Sequence, residues 1–480
     1  MYTKLFIDGR WVDPAVPAVL PVIDPATEEL IAEVAAGSRA DVDRAVRAAR
    51  KAYPRWRATS GHERARYLRA IAGGIGARAE ALAALSSRNN GKPLAEARID
   101  ISDAIATYEY YATLAERLDE RQNQPVSLAV PGYESVTQLE PAGVAALIVP
   151  WNFPFVTTAW KVAPALAAGC TVVLKPSEIT PLVELELGAI AQAVGVPDGV
   201  LNIVNGTGAE VGDALCSHPD VAKISFTGSN RVGERVMQNA ARQVRTVSLE
   251  LGGKSPMIVF EDADLDQAVE WILGGIFYNC GQMCSATSRL LVHETIAPAL
   301  YARLKHATEA LKIADAFSEG VAMGPLTSKT QLDTVLRYIE RGRAEGLTLL
   351  TGGRRAAGFE RGYFVEPTIF VDVPTDSALW REEIFGPVLC ARTFQTEAEA
   401  VRLANDSDFG LAAGVISGDR ARAQRVAREL EAGHIWINSL QVVFPETSWG
   451  GFKRSGIGRE LGPWGLDAYL EVKHITRPLT

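Results

Sequence analysis

AGVAALIVPWNFPFVTTAWKVAPALAAGCTVVLKPSE, residues 142–178, decides how this chain is built. Two short apolar runs inside it, AALIV and TVVLK, lack polar alternation, as strands covered on both faces do. Residues 143–160 approach the length of a membrane-crossing helix. Pro150, Asn152 and Pro154 interrupt them, however, and Lys161 follows. A proline inside a helix removes a hydrogen bond and clashes with the preceding turn, so the stretch reads as a buried strand running into a special turn.

The pattern continues downstream. VLNIV, AKISF and TVSLEL are further β-rich runs, separated by helical segments at 181–194, 209–217 and 231–242. Thr180 is expected to cap the first of these, with Pro181 at its first position. Strands alternating with helices imply a parallel, doubly wound sheet of the dinucleotide-binding kind. A second series starts near Lys254: MIVF, SRLLVH, LTLLTGG, TIFVDV, VLCARTF, AAGVIS and HIWIN, with helices at 265–279, 297–311, 329–344 and 420–432. Upstream, the N-terminal third reads as helical. Residues 122–140 read as an extended hairpin, and LDAYLEVKHIT near the C-terminus as a strand that pairs with it or with another subunit. The expectation is an α/β protein with two doubly wound α/β domains and a small β arm. The boundaries are 1–118 with 141–252, then 253–440, then 119–140 with 456–480.

Composition narrows the function. The 480 residues carry 49 Lys and Arg against 57 Asp and Glu, a formal charge of −8. That balance, without a basic block, excludes nucleic-acid and anionic-membrane partners as expectations. Five cysteines, an odd number with no C-x-x-C pair, read as reduced thiols rather than a disulfide or zinc framework. The start, MYTKLFIDGRWVDP, lacks an apolar signal core and an Arg/Ser-rich transit pattern. The expectation is a cytoplasmic protein with no metal.

Several residues stand where chemistry is done. Cys284, in NCGQMCSATS, lies where Gly281 and Gln282 break a helix and Ser285 and Thr287 can cap the next segment. Backbone N–H groups there favour a thiolate, although a buried inert cysteine is the common case for a cysteine taken alone. Glu250 ends a strand before two glycines and is either a movable base or a solvated turn residue. Asn152, fixed between two prolines, is either an oxyanion donor or a turn asparagine. GTGAEVG (Gly206, Gly208, Gly212) misses the G-x-G-x-x-G spacing by one residue. FTGSNRVG (Gly228, Gly233) follows a strand and opens a helix, a seat for a pyrophosphate. Lys175 to Glu178 also follow a strand, where a Lys and a Glu grip ribose hydroxyls.

Taken together, PWNFP, KPSE, FTGS, LELGGK, GQMCS and EEIFGPV occur in one order over nearly the whole chain. In this the sequence resembles the aldehyde dehydrogenase superfamily. The resemblance implies Cys284 as nucleophile, Glu250 as general base, and Asn152 with the Cys284 N–H as oxyanion hole. It implies NAD as cofactor, contacted by Trp151, Lys175, Ser177, Glu178, Gly208, Gly212, Phe226, Gly228, Ser229, Leu251, Glu383 and Phe385. It further implies a small-molecule aldehyde substrate and a homodimer or homotetramer joined through the β arm.

ATSRLLVHE, EPTI, ANDSDFGLAA and SWGGFKRSGIGRELGPWGLDAYLEVK resemble the betaine-aldehyde and aminoaldehyde branch. A cationic aldehyde needs aromatic faces and an anion. The matching positions are Phe153, Trp160, Tyr278 and Trp449, with Asp100 and Asp103 facing the amino end; all four aromatics also suit a packed core. Phe153 replaces the usual Tyr and Tyr278 a common Trp. His434 occupies the position thought to admit or exclude a trimethylammonium head, and Glu446 adds a carboxylate. Asn89 stands where some relatives hold a cation with Asp. The competing expectations are a general aliphatic or aromatic aldehyde dehydrogenase, a coenzyme-A-acylating one, a thiol esterase and a catalytically idle binding relative.

Overall fold

The structure, a computed structural model, describes residues 2–479. Five parallel strands form the centre of its first sheet, in the spatial order Leu201–Ile203, Thr171–Lys175, Val144–Ile148, Lys223–Thr227, Thr246–Glu250. The chain thus enters in the middle, winds one way, then returns and winds the other. This order places a crevice above the carboxyl ends of Val144–Ile148 and Lys223–Thr227. Ala145, Leu147, Val172 and Leu174 are completely buried, which accounts for the missing polar alternation. The helix Pro154–Ala168 starts with proline in its first turn, where a missing N–H costs nothing, and stops at Gly169 in the left-handed conformation (φ 97°).

Three details differ from the sequence reading. Four helices, Arg39–Arg57, Gly61–Gly76, Ala79–Asn90 and Leu94–Glu120, do fill the N-terminal third. Before them, though, come four strands, Leu5–Ile7, Arg10–Val12, Val19–Ile23 and Leu30–Ala35, the first two extending the first sheet. Next, Pro181 rather than Thr180 occupies the cap position of Leu182–Ala193; the Thr180 hydroxyl donates to the Trp151 carbonyl (3.1 Å) and pins the PWNFP turn instead. Finally, GTGAEVG forms a single wide turn, Gly208–Gly212, running into a short helix, Asp213–Ser217.

The second sheet has seven strands: Thr348–Thr351, Thr368–Val371, Val388–Phe394, Arg289–His293, Pro256–Val259, Ala412–Ile416 and His434–Ile437. Only Thr348–Thr351 is antiparallel. The third sheet pairs Leu470–Pro478 with Tyr133–Pro141 over nine residues, with Gln124–Pro125 on the far side. Of the segment 456–480 expected in the arm, Gly456–Ile457 instead pairs with Thr246–Glu250 of the first sheet. Gly462–Asp467 is a helix packed on Pro154–Ala168.

The two large sheets present opposite ends to each other. Asn152, Lys175, Gly228 and Glu250 lie at or beyond the carboxyl ends of first-sheet strands. Lys254, Cys284, Glu383 and His434 lie at or before the amino ends of second-sheet strands.

Candidate active site

The nucleophile loop begins where Leu265–Phe277 ends. Asn279, Cys280 and Gly281 all take left-handed conformations (φ 47°, 55° and 73°). Gly281 is required there for a second reason: a β-carbon on it would lie 2.2 Å from the Gly386 carbonyl oxygen. The Cys284 loop and the loop carrying Glu383 and Phe385 are thus in direct backbone contact. Ser285 and Thr287 cap no helix, contrary to expectation; the Ser285 hydroxyl donates to the Gln441 side chain (2.9 Å) and Thr287 accepts from it (3.4 Å).

The thiol expectation also needs correcting. The backbone N–H groups of Ser285 and Cys284 do favour a thiolate. Burial, followed by the carboxylates of Glu383 and Glu250, outweighs them and pushes the Cys284 thiol up to about 12. The resting group is a neutral thiol that needs a base.

Asn152 is buried, and its Nδ2 donates to the Gln282 carbonyl (2.9 Å), two residues before Cys284. An amide carries two N–H bonds, so one remains to donate beside Cys284. Asn90 fastens the same turn by donating to the Trp151 carbonyl (2.9 Å).

Glu250 has neither carboxyl oxygen hydrogen-bonded and is buried. Burial, then the neighbouring Glu460, raises it well above the usual carboxylate range, while Lys161 and Arg459 oppose the shift. Sequence reasoning missed these neighbours. Lys161 makes a buried ion pair with Glu460, and Ser225 bridges them, accepting from Lys161 (3.2 Å) and donating to Glu460 (3.2 Å). Lys161 lies 299 residues from Glu460, so no local spacing announces the pair.

The residues read as a cofactor seat line the crevice of the first sheet. Glu178 accepts from Lys175 Nζ (3.0 Å) and from the Gly208 N–H (3.2 Å). Burial alone would raise its carboxyl; Lys175 and backbone N–H groups win and hold it below the usual range. Ser229 caps Asn230–Ala241 without a side-chain hydrogen bond, leaving that helix N-terminus open to an anion. A β-carbon on Gly208 or Gly212 would meet almost nothing, whereas on Gly228 it would strike the Phe226 ring and on Gly233 the Leu251 side chain. Phe226 and Leu251 are therefore the buried floor of the seat. Ser177 accepts from the Ile179 N–H (3.2 Å) and shapes the turn. On the opposite side, Glu383 accepts from the Gly253 N–H (3.0 Å), and Phe385 meets Trp151 edge to face (5.2 Å). Burial raises Glu383 to about 7.

The aromatic positions divide into two groups. Trp160, Trp449 and His434 cluster with Trp436: Trp160 to Trp449 is 5.7 Å, His434 to Trp449 5.7 Å and His434 to Trp436 4.6 Å between ring centroids. Trp436 was missed, although it lies two residues after His434 on one strand and so shares its face. Burial lowers the His434 imidazole below its ordinary value, with a hydrogen bond to the Ser448 backbone opposing. In the other group Phe153 stacks on Tyr278 (6.4 Å), and Lys92 Nζ stands 4.0 Å from the Phe153 ring centroid. Lys92 is buried and paired with Asp100 (2.6 Å). Asp100 therefore already has an internal cation as its partner. Asp103 has no ion-pair partner among the described residues; burial, then Asp100, raises it to about 6. Asn89 donates to the Ile179 carbonyl (3.0 Å) and accepts from the Leu182 N–H (3.2 Å).

Comparison with known proteins fits this geometry. The model of the aldehyde dehydrogenase family matches residues 11–475. The chain is 52% identical over 479 residues to aminoaldehyde dehydrogenase 1, peroxisomal, of Pisum sativum, covering 99% of this chain and 95% of that protein. It is 49% identical over 482 residues to betaine aldehyde dehydrogenase, chloroplastic, of Beta vulgaris, covering 99% and 96%. The crystal structure of betaine aldehyde dehydrogenase from Staphylococcus aureus in complex with NAD+ superposes with a TM-score of 0.97 at 40% identity, over 99% of this chain and 95% of that one. A crevice at the turn of a doubly wound sheet, and a half-buried cysteine on a loop before a strand of the second sheet, are thus found in a chain that belongs to the aldehyde dehydrogenase family.

Proposed function

We propose that the protein oxidises a cationic aldehyde, an ω-aminoaldehyde or betaine aldehyde, to its carboxylic acid with NAD. The observation that carries this reading is that Glu250 acts on the Cys284 thiol and Asn152 bonds the backbone two residues before it, in a chain that also gathers the Trp160, Trp449 and His434 rings and keeps Asp103 unpaired beside Tyr278. Lys175, Glu178, Gly208, Gly228, Ser229, Glu383 and Phe385 would hold NAD. The open helix end and the room beside Gly208 and Gly212 suit a pyrophosphate and a ribose. When bound, NAD takes up the hydride that leaves the aldehyde carbon.

The protein's own residues do the rest. Cys284, which is partly exposed, gives up its proton to solvent and its sulfur attacks the carbonyl carbon; the free Asn152 N–H and the Cys284 N–H donate to the oxyanion. After oxidation a thioester remains on Cys284. Glu250 then takes a proton from water, the hydroxyl attacks the thioester carbon, and the thiolate leaves with the acid. A Glu250 raised by burial and by Glu460 is a strong base once ionised.

The second-sheet residues in 253–440 form the nucleophile-bearing half and 1–118 with 141–252 the NAD-binding half of this proposal. Tyr133, Val472 and Ile475 are exposed on the arm, which supports a homodimer or homotetramer joined there; sedimentation as a stable 51.7 kDa monomer would refute it. Among the described residues no helix is long and apolar enough to cross a membrane, and five free cysteines support a reducing, cytoplasmic setting.

A panel of ω-aminoaldehydes, betaine aldehyde and uncharged aldehydes of equal length, assayed by NADH release, tests the function. The cationic compounds should lead by at least about tenfold. His434, wedged between Trp436 and Trp449, crowds a trimethylammonium head, so ω-aminoaldehydes should lead betaine aldehyde. Equal efficiency across the panel would make the protein a general aldehyde dehydrogenase.

A further inference from the structure

We propose that Glu96 and Asn279 are positioning residues that fix the distance between the thiol of Cys284 and the amide of Asn152. The proposal rests on the reading of those two groups as nucleophile and oxyanion donor. Glu96 lies in the first turn of Leu94–Glu120, is buried, and accepts the Asn279 N–H at 2.9 Å. Asn279 opens the left-handed run that precedes Cys284, a conformation that costs energy in any residue with a β-carbon. Its side chain faces both partners of the reaction. Asn279 Nδ2 donates to the Asn152 carbonyl (2.9 Å) and to the Gln282 carbonyl (3.3 Å). Asn152 Nδ2 donates to that same Gln282 carbonyl (2.9 Å).

The loop is closed from the other side as well. Gln282 Nε2 donates back to the Asn279 carbonyl (3.0 Å), and Gln282 Oε1 accepts the Thr327 N–H (2.9 Å). Among the described residues Asn279 is therefore the one side chain that bonds both to the backbone two residues before the thiol and to the backbone of the oxyanion residue. Glu96 holds the backbone of Asn279 in the conformation that allows it. Neither residue reaches the reacting atoms, so their effect passes through the geometry of others. A misplacement near 1 Å at a reacting centre costs roughly a hundredfold in rate.

Three variants separate this role from general packing. Glu96→Gln keeps an acceptor oxygen in place, Glu96→Ala removes it, and Asn279→Asp keeps the shape but loses both amide donors. Expected for Glu96→Ala and Asn279→Asp are a kcat about tenfold to a hundredfold lower, a KM for NAD within about twofold of the parent's, and faster alkylation of Cys284 by iodoacetamide as the loop is released. Glu96→Gln should restore kcat and alkylation to near parent values. Parent-like kcat in both Glu96→Ala and Asn279→Asp would overturn the proposal, as would a Glu96→Gln variant no better than Glu96→Ala. Parallel loss of NAD binding and of Tm in all three would show ordinary structural damage and overturn it too. Alkylation is read without any aldehyde, so a wrong substrate assignment would leave the alkylation pattern intact while the parent released no NADH from the cationic panel.

Discussion

The two large sheets feed one cleft from opposite ends of their strands. The first follows the general expectation for open α/β sheets: its functional side chains stand beyond the carboxyl ends, at the crevice where strand order reverses. The second does the reverse. Cys284 precedes Arg289–His293, Glu383 precedes Val388–Phe394, and His434 begins His434–Ile437. One sheet thus supplies a crevice suited to a dinucleotide, and the other a wall of short loops fastened across it. A rule about strand ends locates half of this site and misplaces the other half.

Altering each side separately tests that division, and the largest effect belongs to the second sheet. Cys284→Ala should abolish turnover while NAD binding, measured by quenching of protein fluorescence, stays near normal; retained turnover of more than a few per cent would remove the thiol from its role. From the first sheet, Glu250→Gln should release one rapid burst of NADH and then stall, because hydride leaves before the thioester is hydrolysed. Absence of a burst would place Glu250 earlier, at the thiol. Glu250 ionises only above the ordinary carboxylate range, so hydrolysis should speed up as pH rises and fail as it falls.

A smaller effect concerns the cofactor. Glu178, held ionised by Lys175 and the Gly208 N–H, repels a 2′-phosphate. At 4 Å and an effective dielectric of 20 the repulsion is about 4 kcal/mol. NAD should outperform NADP strongly, and Glu178→Gln should narrow the gap; equal kcat/KM for both in the parent would refute the assignment. Smaller still is the effect of the aromatic cluster. Trp449→Ala should lower the preference for cationic aldehydes by up to roughly 30-fold, the worth of a desolvated cation–π contact near 2 kcal/mol, with little harm to an aliphatic aldehyde. The smallest effect is on pH. Asp103 loses its charge as pH falls through about 6, so the cationic preference should shrink several-fold between pH 7 and pH 5. A flat preference would mean that the aromatic rings do the selecting alone.

Runs such as TVVLK and VLCARTF were legible because strands buried on both faces leave a continuous apolar signature. Leu5–Ile7 and Arg10–Val12 were not, being three residues each, too short for any period to show. The motif residues were legible because each pairs a chemical group with a backbone break. The hidden part is tertiary. Asp100 reads as a free carboxylate because nothing local shows that Lys92 turns inward to meet it. Glu460 and Lys161, or Glu96 and Asn279, meet across 183 residues or more. Trp436 alone had a local sign, two places from His434 on a strand.

The contact between Gly281 and Gly386 behaves as a mechanical stop. With no room for even one carbon between those backbones, an advance of the Cys284 loop pushes the Glu383 loop ahead of it. In that direction the nucleophile and the group opposite it advance together.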